Sequence, residues 1–487
     1  MTLKQCSLPD TEGARAPPSM QEPHDNLQVR SSLFFWLLTI SSLIAMAYAA
    51  NAVEQINYSA FVTAVLLEGA IYLTAVMLVL RRRHWAGALV PILIVAALMR
   101  GIAVTPPPNL STDIYRYIWD GRVQAAGFSP YLHVPADPQL AHLRDQAIYP
   151  NINQKERAVT IYPPAAELLF RAAHHIEGGI VGMRMVMAAL DLITICALLV
   201  LLGQLRLPRE RVVIYAWHPL TIWEFVCHAH IDAAVTALIA LGVLAAVRAR
   251  QALAGSILAA AVLTKYFPLV LLPAIWRRWD WRMPAAFAAT AVVLYLPFVW
   301  TGGVAVLGFL PQHLDNEGYA AGWGFHPIWL LRDFGIASPP VELYLFSALA
   351  VLAGLALWAL FGREAEPVRL DALVWLGAAF VFLTSPHYPW YFAFLTALLT
   401  LAPNPAVLAM TLLAPLLYLP QPPDGLSWTS LYLLVYWLPV VIAIGWGLWR
   451  LAPRPAQGAR ISGRLPRAAP RQSRPIAART RSWDSGS

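Results

Sequence analysis

Apolar runs of about twenty residues recur along this chain, and they restrict its fold more than any other feature. The first, "LFFWLLTISSLIAMAYAA" (33–50), contains no charged residue. A helix needs roughly 20 apolar residues to cross a hydrocarbon layer ~30 Å thick. Runs of this kind are read at 31–50, 60–80, 86–104, 179–202, 212–228, 232–247, 283–301, 341–361, 370–385, 388–402, 405–420 and 428–450. Charged residues make up only 13% of the 487, against about a quarter in a water-soluble domain. The expected fold class is an all-α polytopic membrane protein, a bundle of about 12 transmembrane helices.

Positive charge gathers at one end. Nine arginines stand against Asp484 in 450–487, which accounts for the whole net charge of +8. With Pro, Ala, Ser and Gly filling the remainder, 451–487 reads as a disordered tail, and 1–30 as a disordered N-terminus. The body, 31–450, is the membrane domain. Short basic loops follow the same logic: "RRRHW" (81–85), "RLPRER" (206–211), "RARQ" (248–251), "WRRWDWR" (276–282) and "GREAEPVR" (362–369). Together with the tail they put both termini in the cytoplasm. Anionic lipid is the expected partner of the tail, and nucleic acid is not, since no aromatics are interleaved with the arginines for stacking. Cys6, Cys196 and Cys227 are too widely spaced for a disulfide framework or a metal knuckle.

One segment breaks the alternation. "ALAGSILAAAVLTKYFPLVLLPAIW" (252–276) has basic flanks at both ends but length for a single crossing. It is expected to be a re-entrant pair of half-helices broken near Lys265–Pro268, because proline cannot donate to the helical ladder. A proline-kinked span is the alternative. The layout leaves 105–178, "HAHID" (228–232), 302–340, "SPHYPW" (385–390) and "QPPDGLS" (421–427) on the outer side.

The densest charge lies in the first of these. The spacing of "TDIYRYIWDGRVQ" (112–124) predicts an amphipathic helix on the membrane surface, capped by Ser111 or Thr112. Asp113, Tyr117 and Asp120 share one face, with Arg116 beside both acids and Arg122 beyond. An acid at a helix start among aromatic rings is suited to taking a proton from a hydroxyl. The plainer account has Asp113 supporting the helix dipole and Asp120 pairing with Arg116. In "HAHID", His228, His230 and Asp232 bring hydrogen-bonding groups; no metal is expected, for lack of a tight third ligand. Lys265, next to Tyr266, needs an anionic partner at membrane depth: Asp191, Glu224 or a phosphate. His387, Trp390 and Tyr391 close a span, where an interfacial belt also explains the two aromatics.

Four ordered motifs carry a resemblance: "TDIYRYIWDGRVQAAGFSPY", "WHPLTIWEFVCHAHIDA", "LAAAVLTKYFPLVLLPA" and "SPHYPWYFAF". Over about 105–400 the chain resembles GT-C fold, polyprenyl-phosphate-sugar-dependent glycosyltransferases of the bacterial mannosyltransferase-like branch. The resemblance implies an enzyme without cofactor in the bacterial inner membrane, its active site facing the periplasm. It implies transfer of a hexose, mannose being favoured, from polyprenyl phosphate to a glycan or glycolipid acceptor, commonly with inversion. Asp113 matches the catalytic base of the first outward loop. Many relatives carry two adjacent acids there, whereas this chain has Thr112 before Asp113, leaving Asp120 as a substitute. His230 and Asp232 match a His-x-Asp element, and Lys265 a lysine before an aromatic–proline pair. Substrate contacts are expected from Arg116, Tyr117, Asp120, Arg122, His230, Asp232, Lys265, Tyr266, His387, Trp390 and Tyr391. A lipid-linked sugar flippase or transporter is the alternative, though no repeat relates the two halves.

Overall fold

The fold is that of a computed structural model, which describes residues 22–81, 88–362, 368–419 and 427–451. Most of "RRRHW", the middle of "GREAEPVR", most of "QPPDGLS" and the tail beyond 451 lie outside these residues. The described residues are helical throughout, without strands. The chain divides into two units, Met1–Ile444 and Gly445–Ser487; everything below concerns the first.

Among the described residues, six helices are long and apolar enough to cross a membrane. They are Phe34–Glu54, Tyr58–Arg81, Ile180–Gln204, Arg282–Asn316, Val341–Phe361 and Trp428–Arg450. A pair bent by 119°, Pro219–Cys227 with Asp232–Val247, makes a seventh when taken as one span. Other expected spans form shorter apolar helices: Leu89–Ala103, Gln251–Val262, Leu370–Thr384, Pro389–Leu401 and Pro405–Tyr418. At 1.5 Å per residue, fifteen residues reach only about 23 Å. Twelve apolar runs thus become six full-length helices and a set of short ones.

In chain order, α1 (Glu22–Glu54), α2 (Tyr58–Arg81) and α3 (Leu89–Ala103) lead into α4 (Asp113–Ala125). Two 3-10 turns, Pro138–Leu143 and Tyr149–Asn151, separate α4 from α5 (Pro164–Ile176), and α6 (Ile180–Gln204) follows. The long 105–178 connection therefore does hold two amphipathic helices. However, α4 does not lie free on a surface: Tyr117, Ile118, Trp119 and Asp120 are all buried in protein. Its closeness to α5 depends on Gly121, where a Cβ would stand 2.3 Å from the Phe170 carbonyl oxygen. One turn earlier on α4, the Tyr117 ring stacks on Phe170 with centroids 4.7 Å apart. Buried charges tie α3 to α6: Arg100 donates to Asp191 at 2.6 Å and to the Ala216 carbonyl at 2.7 Å. Each side chain supplies hydrogen-bonding groups to the other, which is how such a pair is tolerated inside a helical membrane bundle.

The 252–276 segment is broken where its proline suggested. Helix α8 (Gln251–Val262) follows α7 (Asp232–Val247), then stops; a turn at 263–266 leads to a 3-10 turn, Phe267–Leu271, and one helical turn, Leu272–Ile275. The break leaves Lys265 on non-helical backbone. Later, α9 (Arg282–Gly302) runs into the 303–340 connection, which is pinned by Gly308. At φ +59° its missing Cβ would fall 2.0 Å from the Thr160 carbonyl oxygen, and Phe309 donates to that same oxygen.

Candidate active site

Two cavities meet at the break. The first, about 610 Å³, is lined by Asp113, Arg116, Lys265, Glu317, Trp390 and Tyr391, with further polar and aromatic groups. The second, about 760 Å³, is an apolar groove whose walls include Phe267, Leu310, Leu314, Val341, Leu345 and Phe380. Tyr162, Lys265, His313, Glu317, Tyr388 and Tyr391 line both. Polar chamber and apolar groove are thus neighbours across one shared wall.

Helix α4 presents its first residue to the chamber. Asp113 is half-buried, and its backbone N–H donates to the Ser111 hydroxyl at 3.3 Å. Ser111 rather than Thr112 serves the helix start; the Thr112 hydroxyl receives Asn153 instead. The Ser111 oxygen also lies 3.0 Å from His230 Nε2. Burial pushes the Asp113 carboxyl above the ordinary carboxylate range, opposed by His230 and Lys265 nearby and reinforced by Asp232. Such a group is more basic than a free carboxylate.

Lys265 meets Asp232 at 2.7 Å and lies over the Tyr391 ring, 4.1 Å from its centroid. Asp191 and Glu224, expected as its protein partners, are engaged elsewhere: Asp191 by Arg100 and Tyr215, Glu224 by Tyr418. Trp390 is 7% exposed and stacks on His230, centroids 4.1 Å apart, and on Tyr388 at 4.7 Å. It is a wall of the chamber rather than an exposed belt residue.

The other expected contacts sort by distance from the chamber. Arg116 lines it, though its Nε is held 2.9 Å from both Asp120 oxygens and one terminal nitrogen donates to the Ala158 carbonyl. Tyr266 and His387 line the groove, Tyr266 with its hydroxyl 3.0 Å from that of Tyr295. Tyr117, Asp120, Arg122, His230 and Asp232 line neither. Asp120 is committed to Arg116, Arg122 to Asp145 at 2.7 Å. His230 sits behind Trp390, its Nδ1 3.0 Å from Glu224, and His228 bonds the Trp223 carbonyl. Among the described residues, no three His, Cys, Asp or Glu side chains converge as a metal-binding group.

Glu317 is the acid that reading the sequence missed. It approaches His387 Nδ1 at 3.1 Å and accepts from the Tyr388 hydroxyl. The hydrogen bond from His387 holds its carboxyl below the ordinary range, so Glu317 remains ionised. "QHLDNEGY" (312–319), with a histidine and an acid four apart in the connection expected on the outer side, was the available signal.

An acid and a paired lysine among aromatic walls offer a base, a cation and hydrogen-bonding groups beside an apolar groove. Residues 29–280, just over half the chain, match the model of the MptA_B family, described as "Alpha-(1->6)-mannopyranosyltransferase, N-terminal domain". The chain belongs to that family. It is a membrane glycosyltransferase that acts on mannose. The matched region holds Asp113, His230, Asp232 and Lys265, while Glu317 and the 385–394 motif lie beyond it. No curated protein and no solved structure matches the chain.

Proposed function

We propose that the chain transfers mannose from a polyprenyl-phosphate donor to a hydroxyl of a glycan or glycolipid acceptor at the outer face of the bacterial inner membrane, on a GT-C-like scaffold. The observation that carries this is the shared wall: Lys265 stands where the acid chamber meets the apolar groove. A prenyl chain fits the groove, its phosphate meets Lys265, and the sugar then projects toward Asp113. The basic short loops at 206–211, 248–251 and 276–282, which the positive-inside rule assigns to the cytoplasm, support the outward orientation.

The reaction follows from those positions. Asp113 accepts the proton of the acceptor hydroxyl as its oxygen attacks the anomeric carbon. The bond from that carbon to the phosphate oxygen breaks, and the phosphate leaves with the electron pair. Lys265, with Arg116 nearby, stabilises the charge that develops there. An in-line displacement giving an α-linked product requires a β-configured donor. Glu317, ionised on the facing wall, accepts hydrogen bonds from sugar hydroxyls and supplies the second acid that position 112 lacks.

The deciding experiment reconstitutes the purified chain in vesicles with radiolabelled polyprenyl-phosphate mannose and a mannoside acceptor. Label is expected in the acceptor. Label that only crosses the bilayer means a flippase, and the reading fails.

A further inference from the structure

Beside the chamber lies a third cavity of about 360 Å³ with a different lining: Trp329, His387, Tyr388, Leu417, Trp428 and Tyr432. That volume is near the lower end for small-molecule sites, which begin at about 300 Å³. Five of the six side chains are rings. Trp329 and Tyr432 meet edge to face at 5.9 Å, and Trp428 lies tilted to Tyr432 at 6.3 Å. Tyr388 and Leu417 also line the acid chamber, so the two spaces adjoin. Neither the base nor Lys265 reaches this cavity, and among the described residues no lysine or arginine lines it. A phosphate has no cation to meet there, and one leucine is too little for a prenyl chain.

Aromatic faces with tyrosine hydroxyls at their edges match the C–H faces and rim hydroxyls of a pyranose ring. We infer that the cavity bounded by Trp329, Tyr388, Trp428 and Tyr432 is an acceptor subsite, taking the pyranose next to the one that offers the attacking hydroxyl. This rests on the reading of the chamber as the site of mannose transfer. The acceptor would then be an extended glycan rather than a single sugar, recognised by ring stacking one unit from the chemistry.

The test is equilibrium binding, which needs neither donor nor turnover. Purified full-length chain in detergent is titrated calorimetrically with mannose, α-(1→6)-mannobiose and α-(1→6)-mannotriose. Affinity is expected to rise about tenfold between the monosaccharide and the longer probes, 1.4 kcal/mol. Trp428→Ala and Tyr432→Leu should each remove that gain. Trp300→Ala, at a side chain 87% exposed outside all three cavities, should retain it. Two substitutions in different parts of the wall guard against one failing to fold, and thermal unfolding checks both. Equal affinity for all three sugars, or a gain that survives both substitutions, overturns the subsite. Binding that behaves as expected in a chain that fails to transfer from the lipid donor overturns only the proposed function.

Discussion

In the proposed mechanism Asp113 separates catalysis from stability. A carboxyl raised by burial binds its proton more tightly in the folded chain than in the unfolded one. It therefore lowers stability as pH rises through its folded value. Asp113→Asn is expected to reduce transfer by about 10²- to 10⁴-fold, the usual contribution of a general base, while the melting temperature at pH 7 holds or rises. A fall in both would make the residue structural. For the same reason kcat/KM should climb with pH along a limb above the free carboxylate value of about 3.9. A limb at or below that value would count against Asp113 as the base. Lys265 behaves oppositely, because Asp232 beside it has a fully buried side chain. Removing one member of a buried pair costs about 3–5 kcal/mol. Lys265→Met should unfold early, and Lys265→Met with Asp232→Asn should recover the melting temperature but not donor affinity. Recovered donor binding in the double variant would return the lysine to a purely structural role.

Among the elements, α4 and the broken 252–276 segment decide where the chemistry sits. The first is held against α5 at Gly121, with no room for a methyl group beside the Phe170 carbonyl. Overpacking of this kind costs about 1–3 kcal/mol. Gly121→Ala should lower the melting temperature and reduce kcat more than it changes donor KM, since the shift moves Asp113 and not the groove; unchanged kcat would show that α4 tolerates displacement. The second element needs its irregular backbone. A continuous helix would satisfy its own ladder but carry Lys265 away from Asp232 and Tyr391, which it meets at the break.

At the level of the whole molecule, the proposed function depends on two unlike spaces sharing a wall. Leu345→Trp adds apolar volume inside the groove without adding charge. It is expected to raise KM for a long-chain polyprenyl donor about tenfold, as filling a preformed pocket with a bulkier side chain does, and to spare a short-chain analogue. Equal effects on both donors would mean that the groove does not hold the chain.

Much of this was legible in the residues. Apolar runs and scarce charge settle an all-helical membrane protein, since backbone polar groups in lipid must be satisfied within the helix. Proline at 268 marks the break, and the spacing of 112–124 marks α4, which begins at Asp113. The remainder is a matter of distance in sequence. Asp120 and Arg122 look equivalent to Asp113 along one helix, yet Arg116 and Asp145 engage them. Glu317 lies far along the chain from Asp113, and its spacing from His313 does not report that packing brings it to the same chamber. Spacing names the faces of a helix; which face meets a cavity depends on side chains contributed by distant segments.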